Sequence, residues 1–255
     1  MPAKDRKPRV GPTASSDCSA WIGKNVTRGA NVRIGPGAVI GWPEDHQARP
    51  EDEVHIEADT VIGPSVHVEP GVRIGADCSI GAGTFVGRGT RIGRNVSIGP
   101  QCVLIGDCTL EDHVRLIANV YVCEESLVEE FAHLMPGVIL INDLYPPSAL
   151  DVRGPRIGRC AVVGIQSVIF PGVRLGFHAL VASRSDVKHD VPDFTCVSGS
   201  PAKAIIDCRK IGIKIAGERM YPYPWMRVFA EDQDLSRMDL SWPKEFSEEK
   251  GWKNA

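Results

Sequence analysis

The segment Arg91-Ile-Gly-Arg-Asn-Val-Ser-Ile-Gly-Pro100 presents an aliphatic residue followed by glycine, and presents the same pair again six positions later. Stepping by six from Ile62 to Leu140 meets only aliphatic residues. These are Ile62, Val68, Ile74, Ile80, Val86, Ile92, Ile98, Leu104, Leu110, Leu116, Val122, Val128, Leu134 and Leu140. Aliphatic residues fill roughly a quarter to a third of an ordinary chain, so this unbroken run indicates a structural repeat.

A second position of the repeat is also restricted. The residue four places after each aliphatic is mostly small or β-branched, as at Val66, Cys78 and Thr84. Glycine directly follows the aliphatic residue at positions 63, 75, 81, 87, 93 and 99. Six residues turn an α-helix by about 600°, which would scatter the aliphatics around its surface. A single strand would instead alternate with period two.

A short strand and a turn in every six residues explain both positions. Three such units complete one triangular coil, so aliphatic residues stack inside and each strand pairs with strands in the coils above and below. The sequence therefore predicts an all-β fold, a parallel β-helix of hexapeptide repeats.

The repeat has two interruptions. Its frame is visible at Ile22, Ile34 and Ile40. It breaks after Gly41, where a polar loop opens, and again after Leu140. It resumes at Ile157, Val163, Ile169, Leu175, Val181 and Val187. We therefore expect an array over roughly 18–200, with about eight coils and two excursions.

Outside the repeat, the sequence predicts two flanking regions. Residues 1–17 are polar and are expected to form a disordered leader, with the β-helix domain at 18–207. Residues 208–255 are expected to form a C-terminal extension. It contains the extended aromatic segment Tyr221-Pro-Tyr-Pro-Trp225 and polar residues that favour a short helix.

Composition excludes several classes of function. The formal net charge is −3 with 24% charged residues, which gives no electrostatic reason to expect a nucleic acid or an anionic membrane as partner. No stretch approaches the roughly 18 apolar residues of a membrane helix, and residues 1–17 lack the apolar core of a signal peptide. A cytoplasmic location is expected.

The eight cysteines contain no CxxC pair, which argues against a zinc ribbon, and several occupy the small inward position.

Three segments resemble a known superfamily. The repeat itself resembles that of the hexapeptide acyltransferases. The segment Asp190-Val-Pro-Asp-Phe194, followed by Gly199-Ser-Pro-Ala-Lys-Ala-Ile205, is similar to the end of their array. More narrowly, Pro136-Gly-Val-Ile-Leu-Ile-Asn-Asp-Leu-Tyr-Pro146 resembles a segment of N-acetyltransferases that modify nucleotide-linked 3-amino sugars. The resemblance implies a left-handed coil, a homotrimer, and acetyl-CoA in the groove between two adjacent β-helices. It also implies that the nucleotide-linked amino sugar enters from the other side.

The resemblance also assigns catalytic candidates. Asn142 matches an asparagine that lies beside the amine in the amino-sugar enzymes, where its side-chain oxygen would orient the nucleophile. An amine needs only its neutral form and correct alignment, whereas a hydroxyl needs a general base. His133, just before Leu134, is the candidate base if one takes part. Where some relatives carry a groove histidine, this chain has Ala82, Gln101 and Ile117.

Binding residues follow from the same resemblance. Asn119, Asp143 and Tyr145 are candidates for contact with the sugar nucleotide. The expected coenzyme A contacts are small residues of the last coils and two cations that would pair with phosphates. These are Gly164, Ser167, Ala182, Ser183, Arg184 and Lys203.

Other readings remain open at this point. The chain is alternatively an O-acyltransferase with His133 as base, or a trimeric β-helix scaffold without catalysis. A γ-class carbonic anhydrase would need histidines from neighbouring coils, yet His113 and His133 are twenty residues apart rather than eighteen, so no metal is expected. His113 and His178 are expected at coil corners, in solvent.

Overall fold

The computed structural model describes residues 13–42, 52–147 and 152–211, together with the backbone of three short strands further along. Within these residues the chain winds as a parallel β-solenoid with three walls, which confirms the fold predicted from the repeat. The hand of the coil stays a prediction from the resemblance.

The strands are numbered along the chain and fall into three sheets. Sheet 1 contains β1 (Ser15–Ser16), β4 (Arg33–Ile34), β7 (Val61–Ile62), β10 (Ser79–Ile80), β13 (Ser97–Ile98), β16 (Arg115–Leu116), β19 (His133–Leu134), β22 (Val162–Val163), β25 (Leu180–Val181), β27 (Thr195–Gly199) and β28 (Ala202–Asp207). Sheet 2 contains β2 (Trp21–Ile22), β5 (Val39–Ile40), β8 (His67–Val68), β11 (Phe85–Val86), β14 (Val103–Leu104), β17 (Tyr121–Val122), β20 (Ile139–Leu140), β23 (Val168–Ile169) and β26 (Asp186–Val187).

Sheet 3 completes the triangle. It contains β3 (Val26–Arg28), β6 (Val54–Ile56), β9 (Arg73–Ile74), β12 (Arg91–Ile92), β15 (Thr109–Leu110), β18 (Leu127–Val128), β21 (Arg156–Ile157) and β24 (Arg174–Leu175). A 3₁₀ turn, Cys208–Lys210, follows β28. A small separate sheet joins β29 (Ile213–Ile215), β30 (Glu218–Tyr221) and β31 (Lys253–Asn254).

Each solenoid strand up to β27 pairs in parallel with the strand one coil away, and β28 joins β27 as an antiparallel hairpin. Ser79 aligns with Ser97 in sheet 1, and Phe85 aligns with Val103 in sheet 2, an offset of eighteen residues in both cases. The second residue of each two-residue strand faces the core, and the first faces outward, because side chains alternate along a strand. The hexad thus becomes one wall plus one corner of the triangle.

The core consists of the two restricted positions of the repeat. Ile98 and Leu104 are at most 1% exposed, and so are the small inward residues Cys78 and Cys108. Burial raises the pKa of both thiols to about 11, so these cysteines act as small core residues, as the sequence predicts. Inward hydroxyl groups bond to backbone carbonyls, as Thr84 Oγ1 does to a carbonyl of the next coil at 3.0 Å.

The solenoid has nine coils, one for each strand of sheet 2, rather than the eight expected from the sequence. β1 begins at Ser15, inside the stretch expected to be a leader, and forms part of an additional first coil. Two insertions make the register between neighbouring coils longer than eighteen residues. Val26 aligns with Val54, and Leu127 aligns with Arg156, so the chain makes two excursions, as predicted. Both excursions leave between sheet 2 and sheet 3.

Other expectations fall outside the described residues. They include the leader over 1–12, the residues after Tyr221 in the aromatic segment, and the short helix expected near the C-terminus. In the part that the structure describes, no helix is long and apolar enough to cross a membrane.

Glycine after the aliphatic residue is explained by the distance between coils. A Cβ added at Gly99 would lie 1.1 Å from the carbonyl oxygen of Ile117 in the next coil. Gly83 is different: its φ is +68°, and an added Cβ would meet only the Gln101 side chain at 3.8 Å.

We therefore expect Gly99→Ala to destabilise the fold far more than Gly83→Ala. The first substitution forces backbone apart and should cost about 3 kcal/mol or more. The second adds only the left-handed penalty, about 1 kcal/mol. Urea unfolding followed by circular dichroism measures both. Equal losses for the two variants would contradict the close approach of the coils.

Candidate active site

Three corners separate the walls, and the candidate residues divide among them. We call the turn from sheet 1 to sheet 2 corner 1, the turn from sheet 2 to sheet 3 corner 2, and the turn from sheet 3 to sheet 1 corner 3. Corner 1 repeats a residue with positive φ in successive coils, such as Asn119 at 52° and Arg184 at 60°. Its N–H donates to the coil before, at 3.0 Å from Asn119 to the Pro100 carbonyl.

The coenzyme A candidates gather at corner 1 of the last two coils. Gly164 lies so close to the next coil that an added Cβ would be 2.5 Å from the Ser183 nitrogen. The Ser183 hydroxyl accepts a hydrogen bond from the Ile165 N–H at 3.2 Å. Ser183 and Arg184 are exposed, and Ala182 is half-buried. This part of the corner is thus a narrow ridge of small residues that ends in one cation.

Ser167 belongs to the same coils but faces inward. Its side chain is fully buried, and its hydroxyl donates to the Ala182 carbonyl at 3.1 Å. The same oxygen accepts from the Ser185 N–H at 3.2 Å. The hydroxyl of Ser167 therefore holds two coils together and is not presented to the surface.

Lys203 lies above this ridge. It is exposed on β28, opposite Ser198 in the antiparallel hairpin β27–β28. That hairpin is tied to corner 1, since the Gly199 N–H donates to the Ser185 hydroxyl at 3.1 Å. Neither Arg184 nor Lys203 forms an ion pair with any residue in the described ranges, so both cations are available to an anion.

The residues expected to bind the acceptor lie in the second excursion, at corner 2. The Asn142 carbonyl accepts a hydrogen bond from the Arg153 N–H at 3.0 Å, and Asp143 bridges to Val152 across the base of the loop. The Asp143 carboxylate accepts from the Tyr145 N–H at 2.8 Å, a tight local turn. Tyr145 is 72% exposed. The base of the loop is fixed, and its aromatic tip projects into solvent.

Coil 8 supports the base of this loop. The Gly172 N–H donates to the Arg153 carbonyl at 2.9 Å, and the aliphatic part of the Arg153 side chain lies over Gly172. Asn142 is therefore held by backbone contacts on both strands of the loop base. A side chain on such a support can orient a ligand better than one on a free loop.

In one chain the two clusters lie on opposite edges of sheet 2. A wall of six residues spans at most roughly 20 Å, and the clusters occupy its two ends. Asn142 at corner 2 and Ser183 at corner 1 thus do not converge on one thioester. Asn119 is exposed at corner 1 in the sixth coil, below the coenzyme A candidates in the eighth and ninth.

His133 lies on the third side of this arrangement. It occupies an outward position of sheet 1, aligned with Arg115 on one side and Val162 on the other. Burial lowers the pKa of His133, and the neighbouring Arg115 guanidinium lowers it further. Arg115 is itself held by a 3.1 Å hydrogen bond to the Asn95 side chain. His133 is thus a neutral imidazole near neutral pH, but it does not face the Asn142 loop of its own chain.

His113 and His178 were expected in solvent, and this is wrong. His113 and His178 do lie at corner 3, but they are only 8% and 7% exposed. His113 stacks on Phe131 of the next coil at 4.5 Å between ring centroids, and His178 stacks on Phe194 at 5.6 Å. The same corner position repeats in each coil, so planar side chains cover one another there.

One surface was not predicted from the sequence, the outward face of sheet 2. Its outward residues are mostly apolar, whereas the outward residues of sheet 3 include four arginines. From the first coil to the ninth, the sheet 2 residues are Trp21, Val39, His67, Phe85, Val103, Tyr121, Ile139, Val168 and Asp186. Ile139 is 40% exposed and Tyr121 36%. The sequence does contain this pattern, because the residue before every third aliphatic of the repeat is apolar in most coils.

Among the described residues, no group of three or more histidine, cysteine, aspartate or glutamate side chains is placed to hold a metal ion. Burial raises the pKa of the core thiols, among them Cys78, Cys102, Cys108 and Cys123, so these thiols stay protonated. The site is therefore built from backbone groups, amides and cations.

Comparison with known proteins agrees with this fold. Residues 53–88 match the bacterial transferase hexapeptide family (six repeats). A 2,3,4,5-tetrahydropyridine-2,6-dicarboxylate N-acetyltransferase of Staphylococcus aureus (strain bovine RF122 / ET3-1) is 41% identical over 73 residues, which are 29% of each chain. The match thus spans less than a third of this curated relative.

A solved structure is similar over a longer range. The UDP-N-acetylglucosamine acyltransferase from Campylobacter jejuni superposes with a TM-score of 0.51 at 20% identity, over 79% of this chain and 71% of that chain. This likeness concerns the fold. The family match is thus confined to the coils around residues 53–88, and the longer likeness shows the same kind of fold.

We expect NMR titration of the His133 ring to give a pKa below the ordinary 6.5. Arg115→Met should raise that pKa, because it removes the nearby positive charge. The folded protein binds this proton less tightly than the unfolded chain does. The contribution of His133 to stability is therefore intact above pH 6.5 and declines as the pH falls toward the lowered pKa. An unchanged pKa in the Arg115 variant would contradict the contact.

Proposed function

We propose that the protein is an acyl-CoA-dependent acyltransferase that transfers an acetyl group from acetyl-CoA to the amino group of a nucleotide-linked amino sugar. The observation that carries the proposal is the loop of Asn142 to Tyr145. It is fixed at its base, exposed at its tip, and lies one coil below the ridge of small residues at corner 1. The partial match to a Staphylococcus aureus N-acetyltransferase supports amine chemistry.

The chemistry needs alignment more than a strong base. The side-chain oxygen of Asn142 accepts a hydrogen bond from the neutral amine and directs its lone pair at the thioester carbonyl. A C–N bond forms, the tetrahedral oxyanion is stabilised by backbone N–H groups, and the C–S bond then breaks. The departing thiolate takes the proton from the new ammonium, so the products are an amide and free coenzyme A.

Coenzyme A fits corner 1. Pantetheine can approach the backbone where Gly164, Ala182 and Ser183 carry little or no side chain. Arg184 and Lys203 supply two cations without ion-pair partners in the described part of the chain, which suits the phosphates of coenzyme A. Ser167 contributes by fixing the Ala182 carbonyl, and its hydroxyl stays inside.

The acceptor would lie against the loop and the lower part of corner 1. The exposed ring of Tyr145 offers a face for stacking on a base or sugar, and the side-chain amide of Asn119 offers hydrogen bonds. The Asp143 carboxylate is engaged by the Tyr145 N–H. Its role here is therefore to shape the loop that presents the tyrosine.

The separation of the two corners implies that a site is completed by a second copy of the chain. Corner 1 of one subunit would meet the Asn142 loop of its neighbour, with His133 reaching the groove from sheet 1. The apolar outward face of sheet 2 supports such packing, because contiguous exposed apolar surface indicates an interface. We propose a homotrimer, since closed rings satisfy head-to-tail contacts of this kind.

A transfer assay tests the reaction. We expect acetyl-CoA with a panel of UDP- and dTDP-linked amino sugars to release free thiol, and the product to resist hydroxylamine as an amide does. Asn142→Ala should lower kcat by about 10²-fold, which is the scale of lost orientation. Melting in acetyl-CoA is the control, since the variant should keep the wild-type rise in Tm. If no acceptor yields thiol and acetyl-CoA leaves Tm unchanged, the chain is a scaffold.

Mixing two inactive variants tests whether the site is shared. Asn142→Ala damages corner 2, and Ser183→Trp blocks corner 1. When the two are co-expressed in equal amounts, about a quarter of the sites in random trimers would combine two intact halves, so activity should return. No recovery in mixed oligomers would place both halves of the site within one chain.

Hydroxyl acylation is a second candidate, and the lowered pKa of His133 favours it because a neutral imidazole is ready to act as a base. In that case the product ester would be cleaved by hydroxylamine. His133→Gln would then abolish turnover, while Asn142→Ala would not.

A further inference from the structure

The outward face of sheet 3 carries two pairs of arginines on neighbouring strands. Arg73 aligns with Arg91, and Arg156 aligns with Arg174. Like charges placed directly opposite each other on neighbouring strands are destabilising. In the second pair the chain reduces this repulsion itself, because the Arg156 Nε lies 2.5 Å from a carboxylate oxygen of Glu129. In the first pair, neither guanidinium forms an ion pair with any residue that the structure describes.

The described acids nearest to Arg73 are held by other groups. They are Asp52, Glu53, Glu57 and Glu69, which bond to the Arg88 guanidinium, the Thr27 hydroxyl and two backbone N–H groups. Three more acids, Glu44, Asp45 and Glu51, belong to the first excursion and lie outside the described residues. That excursion leaves the solenoid at corner 2, which is the edge of sheet 3 away from corner 3.

A groove of about 400 Å³ lies beside the first arginine pair, where sheet 3 meets corner 3, and we call it the sheet 3 groove. Arg73 and Arg91 line it with exposed side chains, and Gly93, which has no side chain, lines it as well. Its lining at corner 3 is acidic and consists of Glu111, Asp112 and Glu130. The groove therefore has a cationic side and an anionic side.

The carboxylate of Glu111 is held at the corner and does not close on Arg91. Its Oε2 atom accepts a hydrogen bond at 3.1 Å from the Glu130 N–H in the next coil. Asp112 is engaged by Arg94, through the backbone N–H at 2.8 Å and an Nε contact at 3.6 Å. The charge of Asp112 is thus balanced within the chain, whereas Glu111 forms no ion pair with a residue in the described ranges.

Only a short span separates the two charged sides of the groove. Arg91 aligns with Thr109, and Glu111 follows two residues later, so the Cα atoms of Arg91 and Glu111 are roughly 8 Å apart. A ligand with one anionic and one cationic group would meet both sides at the length of a charge-assisted hydrogen bond, about 2.8 Å. A dianion would be repelled by the carboxylates, and a simple cation by the guanidinium groups. The groove therefore favours a small zwitterion.

We propose that the sheet 3 groove binds one free α-amino acid. Its carboxylate pairs with the guanidinium groups of Arg73 and Arg91, and its ammonium group pairs with the carboxylate of Glu111. The short span suits a molecule whose two charges are separated by a single carbon atom. A carboxylate between the aligned arginines also removes their repulsion. Sheet 3 and corner 3 take no part in the subunit contacts proposed above, and this site does not depend on the proposed function.

Glycine is the probe, because it carries both charges and no side chain. Equilibrium dialysis with radiolabelled glycine should give one site per chain with a millimolar Kd, and the affinity should fall as the salt concentration rises. Glycinamide lacks the carboxylate, and N-acetylglycine lacks the ammonium group. Each should compete about tenfold more weakly than unlabelled glycine. Competition by either analogue as strong as that of glycine would overturn the recognition of a zwitterion.

Substitutions test the location of the site. Arg91→Gln and Glu111→Gln should each weaken glycine binding about tenfold. Glutamine at position 111 keeps an oxygen that can accept the Glu130 N–H, so the corner is preserved. Arg174→Gln removes an arginine of the same wall outside the groove and should bind glycine as wild type does. Without glycine, the Arg91 variant should melt no lower than wild type, because it removes a like charge opposite Arg73.

Two results with these variants would overturn the proposal. Equal glycine binding by the Arg91 and Arg174 variants would place the amino acid elsewhere on the molecule. An Arg91 variant that melts well below wild type without glycine would show that a carboxylate of the chain, such as one in the first excursion, already holds this guanidinium. None of these measurements involves acyl transfer, so a failure here is distinct from a failure of the proposed function.

Discussion

The hydrogen-bond ladder between successive coils is the constraint on which the rest of this structure depends. Strand N–H groups donate to the carbonyls of the following coil, as Gly99 does to Leu116 at 2.7 Å, and corner N–H groups donate to the coil before. The ladder holds every coil in the same register and at one strand spacing from the next. Glycine after the aliphatic residue follows from it, because no Cβ fits between coils at that point.

The same ladder decides where chemistry can be placed. A wall residue is either inside the core or on a flat face, so it has little freedom to approach a ligand. Both excursions leave at corner 2, and there the loop base is tied back to the coils by Asn142, Arg153 and Gly172. Corner 1 keeps the uninterrupted repeat and presents backbone with small side chains. A rigid scaffold thus carries one variable corner and one regular corner, and loops on a rigid scaffold are where binding residues concentrate.

The repeat was readable from the sequence because a period of six admits no helix and no simple strand. The first coil was missed because its core positions hold Ser16 and Arg28 in place of aliphatics. The burial of His113 and His178 was missed because hydropathy does not reveal stacking along a corner; that depends on which hexads share a corner. The division of the candidate site was also missed. Asn119 and Asn142 differ by 23 residues, five more than one coil, so they fall at successive corners and not in one column.

The two ends of the solenoid solve the problem of an exposed core in different ways. At the C-terminal end the hairpin β27–β28 adds an antiparallel strand to sheet 1, and Gly199 bonds to Ser185 across the last turn. At the N-terminal end polar side chains replace aliphatics, as a terminal repeat with a solvent-facing surface requires. Solvation accounts for Ser16, whose side chain is exposed. Arg28 is half-buried at the same end, where the aliphatic stem of a long charged side chain can cover apolar surface. The first coil therefore ends the core with a side chain that is apolar along its length and polar at its tip, which an aliphatic residue could not do without exposing its methyl groups.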